Sequence, residues 1–405
     1  MNKKLSLAVA GAVLAFGASA ANAGIIIPAG DWTVDLGGNV NTYYNNTNYS
    51  GNLSGKTTNT IQTGLLPSAL GIGAKTRQND LDIAIQFTFF TGTDSGSGQA
   101  FGNNSLNIRQ AYLSFGDASW GTIKAGRDLG IFGSDAILSD MTLLGVGAGA
   151  GAGGSSTLGR IGSGYMYADW KGQISYASPN WNGFSFAAGA TEGYKNGADA
   201  SNHNLGFEGK LSYDFAATDV TGKVWLSGIT EKHEAGVVTT AAGVDALGNP
   251  FAAVSTNVDG YTTTGIDIGG KVSAYGFGLV GYYYDGKGLS SGSSVTGTNL
   301  ALNGGTSFAG TTKGDDNGGY VQATYTIPGV GTKLGASWGE SKTDLKDGRG
   351  EFTNKSWIVG AYHPLTKSLN LVAEYTDNKI ENDRAFATDG EGKARTISLG
   401  AILFY

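Results

Sequence analysis

From Leu81 onward every second side chain is apolar and large: Leu81, Ile83, Ile85, Phe87 and Phe89 alternate with Asp82, Ala84, Gln86 and Thr88. A period of two is that of a β-strand, whose successive side chains point to opposite faces. The same alternation runs through Trp32, Val34, Leu36, Gly38 and Val40, set against Thr33, Asp35, Gly37, Asn39 and Asn41. It returns in Leu205, Phe207, Gly209, Leu211, Tyr213 and Phe215, whose intervening residues include Glu208, Lys210, Ser212 and Asp214. Val224 and Leu226 alternate with Lys223, Ile266 and Ile268 with Asp267, and Leu369, Leu371, Ala373 and Tyr375 with Asn370 and Glu374. The polar face carries charges and hydroxyls throughout, so it needs water, and the apolar face needs either a core or lipid.

Segments of this kind begin near Trp32, Gly64, Leu81, Asn107, Gly121, Gly164, Gly183, Asn204, Val220, Tyr261, Phe277, Gly319, Thr332, Thr353, Ser368 and Lys393, about sixteen strands in the even number that suits bacterial barrels. Short connections at Gln78–Asp80, Asp117–Ser119, Ser178–Trp181, Ala216–Thr218, Tyr275–Gly276, Pro328–Gly331 and His363–Lys367 alternate with much longer ones. In outer-membrane barrels the short turns are periplasmic and the long loops external. The stretches Asn45–Gln62, Lys232–Asp259 and Leu289–Asn317, rich in Gly, Ser, Thr and Asn, are predicted as surface loops. The glycine-alanine run Gly145–Gly154 is read as part of a long functional loop.

Alternation does not say which face is outside; the two ends of the chain do. Lys3 and Lys4 precede an apolar run from Leu5 to about Ala20, and Ala21-Asn22-Ala23 offers small residues at the cleavage positions. This is the pattern of a secretory signal peptide over residues 1–23, followed by one barrel domain over 24–405. No later run is long and apolar enough for a spanning helix. The sequence holds 68 glycines and 19 tyrosines but no cysteine, so an exported chain of this length must be stabilised by a large core or a closed sheet rather than by disulfides. A net charge of −6, more acidic once Lys3 and Lys4 are removed, argues against nucleic acid as a partner.

With Arg109-Gln110-Ala111-Tyr112-Leu113 followed by Gly121-Thr122-Ile123-Lys124-Ala125-Gly126-Arg127, the sequence resembles the general porins of Gram-negative bacteria. Val359-Gly360-Ala361-Tyr362-His363-Pro364-Leu365 is similar to their penultimate turn. The ending, with Leu399, Leu403, Phe404 and Tyr405, is similar to the signal read by the barrel-assembly machinery. The resemblance implies an all-β transmembrane antiparallel barrel of sixteen strands whose third external loop folds inward. It further implies an outer-membrane location, a homotrimer surrounded by lipid and lipopolysaccharide, and passive diffusion of ions and small hydrophilic solutes. That loop is expected from about Asp128 to Ser163, with the family's usual Pro-Glu-Phe-Gly element replaced by Thr142-Leu143-Leu144-Gly145.

In such a pore bases on the wall face acids on the loop, and rings of charge set selectivity. Arg127 matches the family arginine at the end of the fifth strand and is the leading wall candidate. Lys75 and Arg77 share the face opposite Leu70, Ile72 and Ala74, which would point them inward; both read equally as part of a solvated periplasmic turn. Arg109 matches the motif without a face fixed by alternation. Asp135 and Asp140 are the candidate acids, or else turn residues bonding their own backbone.

Other readings remain beside this one. A hydrolytic barrel needs a serine, a histidine and an acid together, and His203, His233 and His363 are scattered, so no enzyme is expected. Asp315-Asp316-Asn317 reads as a polar turn rather than a calcium site, and Gly269-Gly270 is not a phosphate loop; no metal and no cofactor are expected. A substrate-selective channel for a sugar or other solute would use an aromatic track, for which Trp225 and Trp170 are the only candidates. A structural or adhesive barrel with a blocked lumen is the remaining alternative.

Overall fold

The alternating segments pair edge to edge. The computed structural model describes residues 24–51, 57–92, 106–150, 156–193, 204–240, 243–244, 250–251, 254–289, 313–345, 350–382 and 391–405. The predicted leader, His203 and the last residues of the Gly145–Gly154 run lie outside them.

The strands are β1 (Ile25–Ala29), β2 (Trp32–Gly51), β3 (Thr57–Gln62), β4 (Ser68–Gln78), β5 (Leu81–Thr91), β6 (Asn107–Asp117) and β7 (Gly121–Leu129). Then follow β8 (Trp170–Ala177), β9 (Phe184–Glu192), β10 (Leu205–Ala216) and β11 (Val220–His233). Four short strands come next, β12 (Gly236–Thr240), β13 (Gly243–Val244), β14 (Pro250–Phe251) and β15 (Val254–Val258). The series closes with β16 (Tyr261–Ala274), β17 (Phe277–Lys287), β18 (Gly314–Thr326), β19 (Lys333–Leu345), β20 (Gly350–Pro364), β21 (Leu369–Asn382) and β22 (Glu391–Phe404). Between β7 and β8 lie the helix α1 (Ser134–Ser139) and a 3-10 turn at Met141–Leu144.

Eighteen strands form one antiparallel sheet but fill sixteen places around a closed barrel. The reason lies in β2, the longest strand. On one side it pairs with β3 through Tyr43–Asn48 and with β4 through Thr33–Asn39; on the other it pairs with β1 and then β22, Ile25 opposite Leu36 and Phe404 opposite Asn39. β1 and β22 are thus laid end to end, and Tyr405 is held by paired backbone bonds with Gly38, N–H to O at 2.9 and 3.2 Å. Closure leaves the barrel with no free edge, which a spanning sheet requires.

Register bears out the alternation. Leu205, Phe207, Leu211, Ile266, Ile268, Leu399 and Leu403 are exposed, while Asn39, Gln86, Glu208, Asp267 and Glu374 on the opposite parity are buried within the barrel. Exposed aromatics border the apolar exterior: Trp120, Trp181, Tyr275 and Phe277 near the short turns, and the directly opposed Trp338 and Trp357 further up the strands. These are the interfacial girdles of a membrane barrel.

Two expected loops are not loops. The polar stretch Asn45–Gln62 is mostly strand, because β2 and β3 rise beyond the apolar band and pair through Asn and Thr, with Asn46 Nδ2 donating to Asn59 Oδ1 at 2.9 Å. Asp315-Asp316-Asn317 opens β18 instead of forming a turn; Asp316 accepts from Leu289 N–H at 2.7 Å and Thr343 Oγ1 at 2.8 Å. Within Lys232–Asp259, β12 pairs with β15 and β13 with β14.

Candidate channel constriction

The chain leaves β7 at Leu129, enters the barrel interior and returns to the wall at Trp170; Gly130 N–H donates to Asp169 O at 2.7 Å, closing the neck. Most of what lies between is buried. A loop inside a barrel must satisfy its backbone groups without the ladder that strands provide, and here the wall supplies acceptors one after another. Glu208 on β10 accepts from Ile131 N–H at 2.6 Å and Phe132 N–H at 2.8 Å. Asp267 on β16 accepts from Gly133 N–H at 3.1 Å, and Gln322 on β18 from Met141 N–H at 2.7 Å. Glu374 on β21 accepts from Val146 N–H at 2.9 Å and Gly147 N–H at 2.8 Å, and from Tyr362 Oη at 2.6 Å. The close approach explains the glycine at 145, where a Cβ would fall 1.9 Å from Glu374 Oε1.

The loop also docks on the other side of β2. Between β3 and β4 the ladder breaks at 63–67, and there Leu65 N–H donates to Gly145 O and Thr157 N–H to Gly64 O, at 2.9 and 3.0 Å. On the return, the fully buried Arg160 donates to Ser337 Oγ from Nε and Nη2, at 2.9 and 2.6 Å, and to Ser356 O from Nη1 at 3.1 Å. Phe132 and Tyr165 of the loop pack with Trp225, Tyr282, Tyr284 and Tyr320 of the wall into one apolar cluster.

The sequence-predicted residues fall into five groups. Asp135 and Asp140 are both buried and both occupied. Asp135 pairs with Lys210 at 2.6 Å and Lys223 at 2.7 Å; Asp140 accepts from Thr142 N–H at 2.9 Å and Tyr165 Oη at 2.8 Å. Burial raises the Asp135 carboxyl, but the two ammonium groups lower it further, to about 2. Asp135 therefore fastens the loop to the wall, and Asp140 closes a turn within the loop by bonding its backbone; neither projects into an open passage. Local charge pairing decides this: an acid beside wall lysines in a confined space is stabilised by contact with them.

Arg127 is placed otherwise than expected. It sits opposite Ala111 and Gly172 in the register that carries Ile123, Ala125, Leu113 and the exposed Ile174, and so follows the outward parity. The inward positions of β7 are taken by Lys124 and Asp128, which pair with each other.

Arg77 holds the periplasmic turn, ion-paired with Asp82 and Asp117 at 2.9 Å each. Lys75 has the inward parity and is exposed to the lumen.

Arg109 is turned by a bulge, since Thr88 opposes Gln110 while Phe89 opposes Ile108, which leaves Arg109 unpaired in the ladder. Its guanidinium lies 4.8 Å from the centre of the Phe90 ring. At the terminus, Leu399 and Leu403 face outward while Phe404 is buried inward.

Sequence parity placed Glu208, Asp267 and Glu374 on the inner face, but nothing in it signalled that they hold a loop. Arg160 gave no signal at all. The two tryptophans considered as an aromatic track are also accounted for: Trp225 stacks on Tyr282 beneath the loop, and Trp170 donates to Tyr167 Oη at 2.7 Å.

This architecture has solved counterparts. The outer membrane channel DcaP of Acinetobacter baumannii superposes with a TM-score of 0.61 at 15% identity over 95% of this chain and 100% of that one. In-vitro folded OmpT of Vibrio cholerae gives 0.59 at 15% identity over 94% and 99%. An anion-selective porin from Comamonas acidovorans gives 0.58 at 16% identity over 92% and 100%. No curated protein sequence matches. A sequence profile described as Gram-negative porin matches residues 8–383, and with the closed barrel and inward loop it settles the matter: the chain belongs to the Gram-negative porins and forms an outer-membrane channel for passive diffusion.

Proposed function

We propose that this porin passes ions and small hydrophilic solutes with a preference for anions. The observation that carries the reading is the charge of the lumen on the periplasmic side of the loop. Lys75, Lys124, Lys210, Lys223, Lys271 and Lys333 all have the inward parity there. Asp128 and Asp135 occupy three of them; among the described residues, Asp35, Asp82 and Asp214 are the inward acids on that side beyond those that hold the loop, with Asp82 paired to Arg77. Lys271 and Lys223 are direct cross-strand neighbours, so like charges are held together facing water. Such an arrangement draws anions and repels cations. The net negative charge of the chain does not oppose this, because selectivity follows the charge at the lumen. One structural neighbour is itself described as anion-selective.

Reversal potential in a planar bilayer under a salt gradient tests the reading. Wild-type protein is expected to favour the anion, and Lys271→Glu to lower the anion-to-cation permeability ratio by roughly twofold or more. Cation preference in the wild type would overturn it.

The rest of the reading is organisational. Residues 1–23 are removed on export, the C-terminal Leu399, Leu403, Phe404 and Tyr405 are read by the assembly machinery, and the barrel works as a homotrimer, a form in which OmpT of Vibrio cholerae is described. Outside, Lys355, Lys379 and Lys393 lie side by side on β20, β21 and β22 just above Trp357, interleaved with Glu381 and Glu391 at 2.5–2.8 Å. That row stands at headgroup height and suits lipopolysaccharide phosphates. The protein is not an enzyme in this reading: His233 engages Thr263, and His363 engages Thr332 at a periplasmic turn.

A further inference from the structure

We infer that the space between the inward loop and the β5–β8 wall is a binding site for a small carboxylate with an apolar body of about one aromatic ring. This deepens the diffusion reading, on which it rests. The cavity there has a volume of about 170 Å³. Its walls are apolar on both sides: Phe90 and Trp170 from the barrel, Ile137, Leu143, Leu158 and Ile161 from the loop. A cavity of roughly 150 Å³ lined in this way is enough to hold benzene. Water gains little there, because most of the lining offers it no hydrogen bond.

One charged group breaks the apolar lining. Arg109 borders the cavity, and among the described residues its guanidinium has neither an ion-pair partner nor a hydrogen bond; its only specific contact is the face of Phe90 at 4.8 Å. Two of the neighbouring polar groups, Gln110 and Thr157, are already used, Thr157 Oγ1 donating to Val146 O at 2.7 Å. Gln110 donates to Asp128 Oδ1 at 2.9 Å and accepts from Thr88 Oγ1 at 2.6 Å. Tyr167 Oη accepts from Trp170 Nε1 at 2.7 Å, which leaves its own proton to give. A planar fork of donors stacked on an aromatic ring, with a phenol proton beside it and an apolar pocket in front, fits a carboxylate whose body fills the pocket. Acetate has the charge without the body, and benzyl alcohol the body without the charge.

The test uses the folded, detergent-purified protein and benzoate as the probe, read by tryptophan fluorescence, with Trp170→Phe assigning the signal to the cavity. Benzoate is expected to quench saturably, while acetate and benzyl alcohol at equal concentration do not. Arg109→Gln should weaken benzoate at least tenfold, and Leu138→Phe, which keeps the arginine and fills the pocket from the loop, should abolish the signal. The same preparations are inserted in a bilayer with potassium chloride. A wild type that conducts but gives no saturable quench, or Arg109→Gln with wild-type benzoate affinity, or equal quenching by benzyl alcohol, overturns the site and leaves the channel standing. A wild type that never conducts overturns the channel reading instead.

Discussion

The two sides of the lumen satisfy their polar groups in opposite ways. On β10, β16, β18 and β21, Glu208, Asp267, Gln322 and Glu374 reach across to the loop and accept its backbone N–H groups. On β5, β6 and β7 the polar groups satisfy one another within the wall: Gln86 donates to Thr88, Thr88 to Gln110, Gln110 to Asp128, and Lys124 pairs with Asp128. A wall that bonds a loop cannot move without it, whereas a wall that bonds itself leaves the space in front of it to water and solute. The position of the loop is thus decided by inward acids that turn one carboxylate oxygen to its backbone N–H groups while a neighbour on their own sheet engages the other: Lys171 for Glu208, Ser227 for Asp267 and Tyr362 for Glu374.

The strongest way to break this contrast is Glu208→Ala. It removes two loop contacts and the 2.6 Å ion pair with Lys171, whose side chain is almost fully buried. Breaking a buried pair from one side costs about 3–5 kcal/mol, so the amides of Ile131 and Phe132 should lose hydrogen-exchange protection by a matching amount, and open-channel current should become noisy. Unchanged protection would mean that the loop stays by apolar packing alone.

Asp135→Asn is a smaller perturbation with a pH signature. The carboxyl is depressed in the folded state, so its contribution is present above the ordinary carboxylate range and disappears as pH falls through about 2. Loop protection in the wild type should exceed that in the variant by roughly 2 kcal/mol at neutral pH. The gap should persist to about pH 4 and close as pH approaches 2. A gap independent of pH would assign the effect to packing.

Least effect is expected from Arg127→Gln. An outward arginine does not share the lumen's field, so the reversal potential should match that of the wild type. A shift toward cations would restore Arg127 to the channel wall and erase the distinction between β7's two faces.

How much of this was readable in advance depended on the kind of information each feature needs. Strand positions were readable because lipid on one face and water on the other force a period of two, as in Leu205–Phe215. The sixteen places and the short turns followed from the same constraint. Where both faces meet water, as in β2 and β3 beyond the apolar band, the period vanishes and a strand has the composition of a loop. Alternation fixes no face at Arg109, because one extra residue in β6 shifts the register there.

The sequence by itself determined the strands and their two faces, because these depend on solvent contrast repeated along each strand; which face is outside needed the patterns at the two ends of the chain as well. Only the tertiary structure decided which inward charges hold the loop and which are left for solutes. Asp135 and Lys223 are 88 residues apart, and Val146 and Glu374 are 228 apart. No local pattern encodes such pairings: they exist only once closure brings distant strands within a hydrogen bond of one loop.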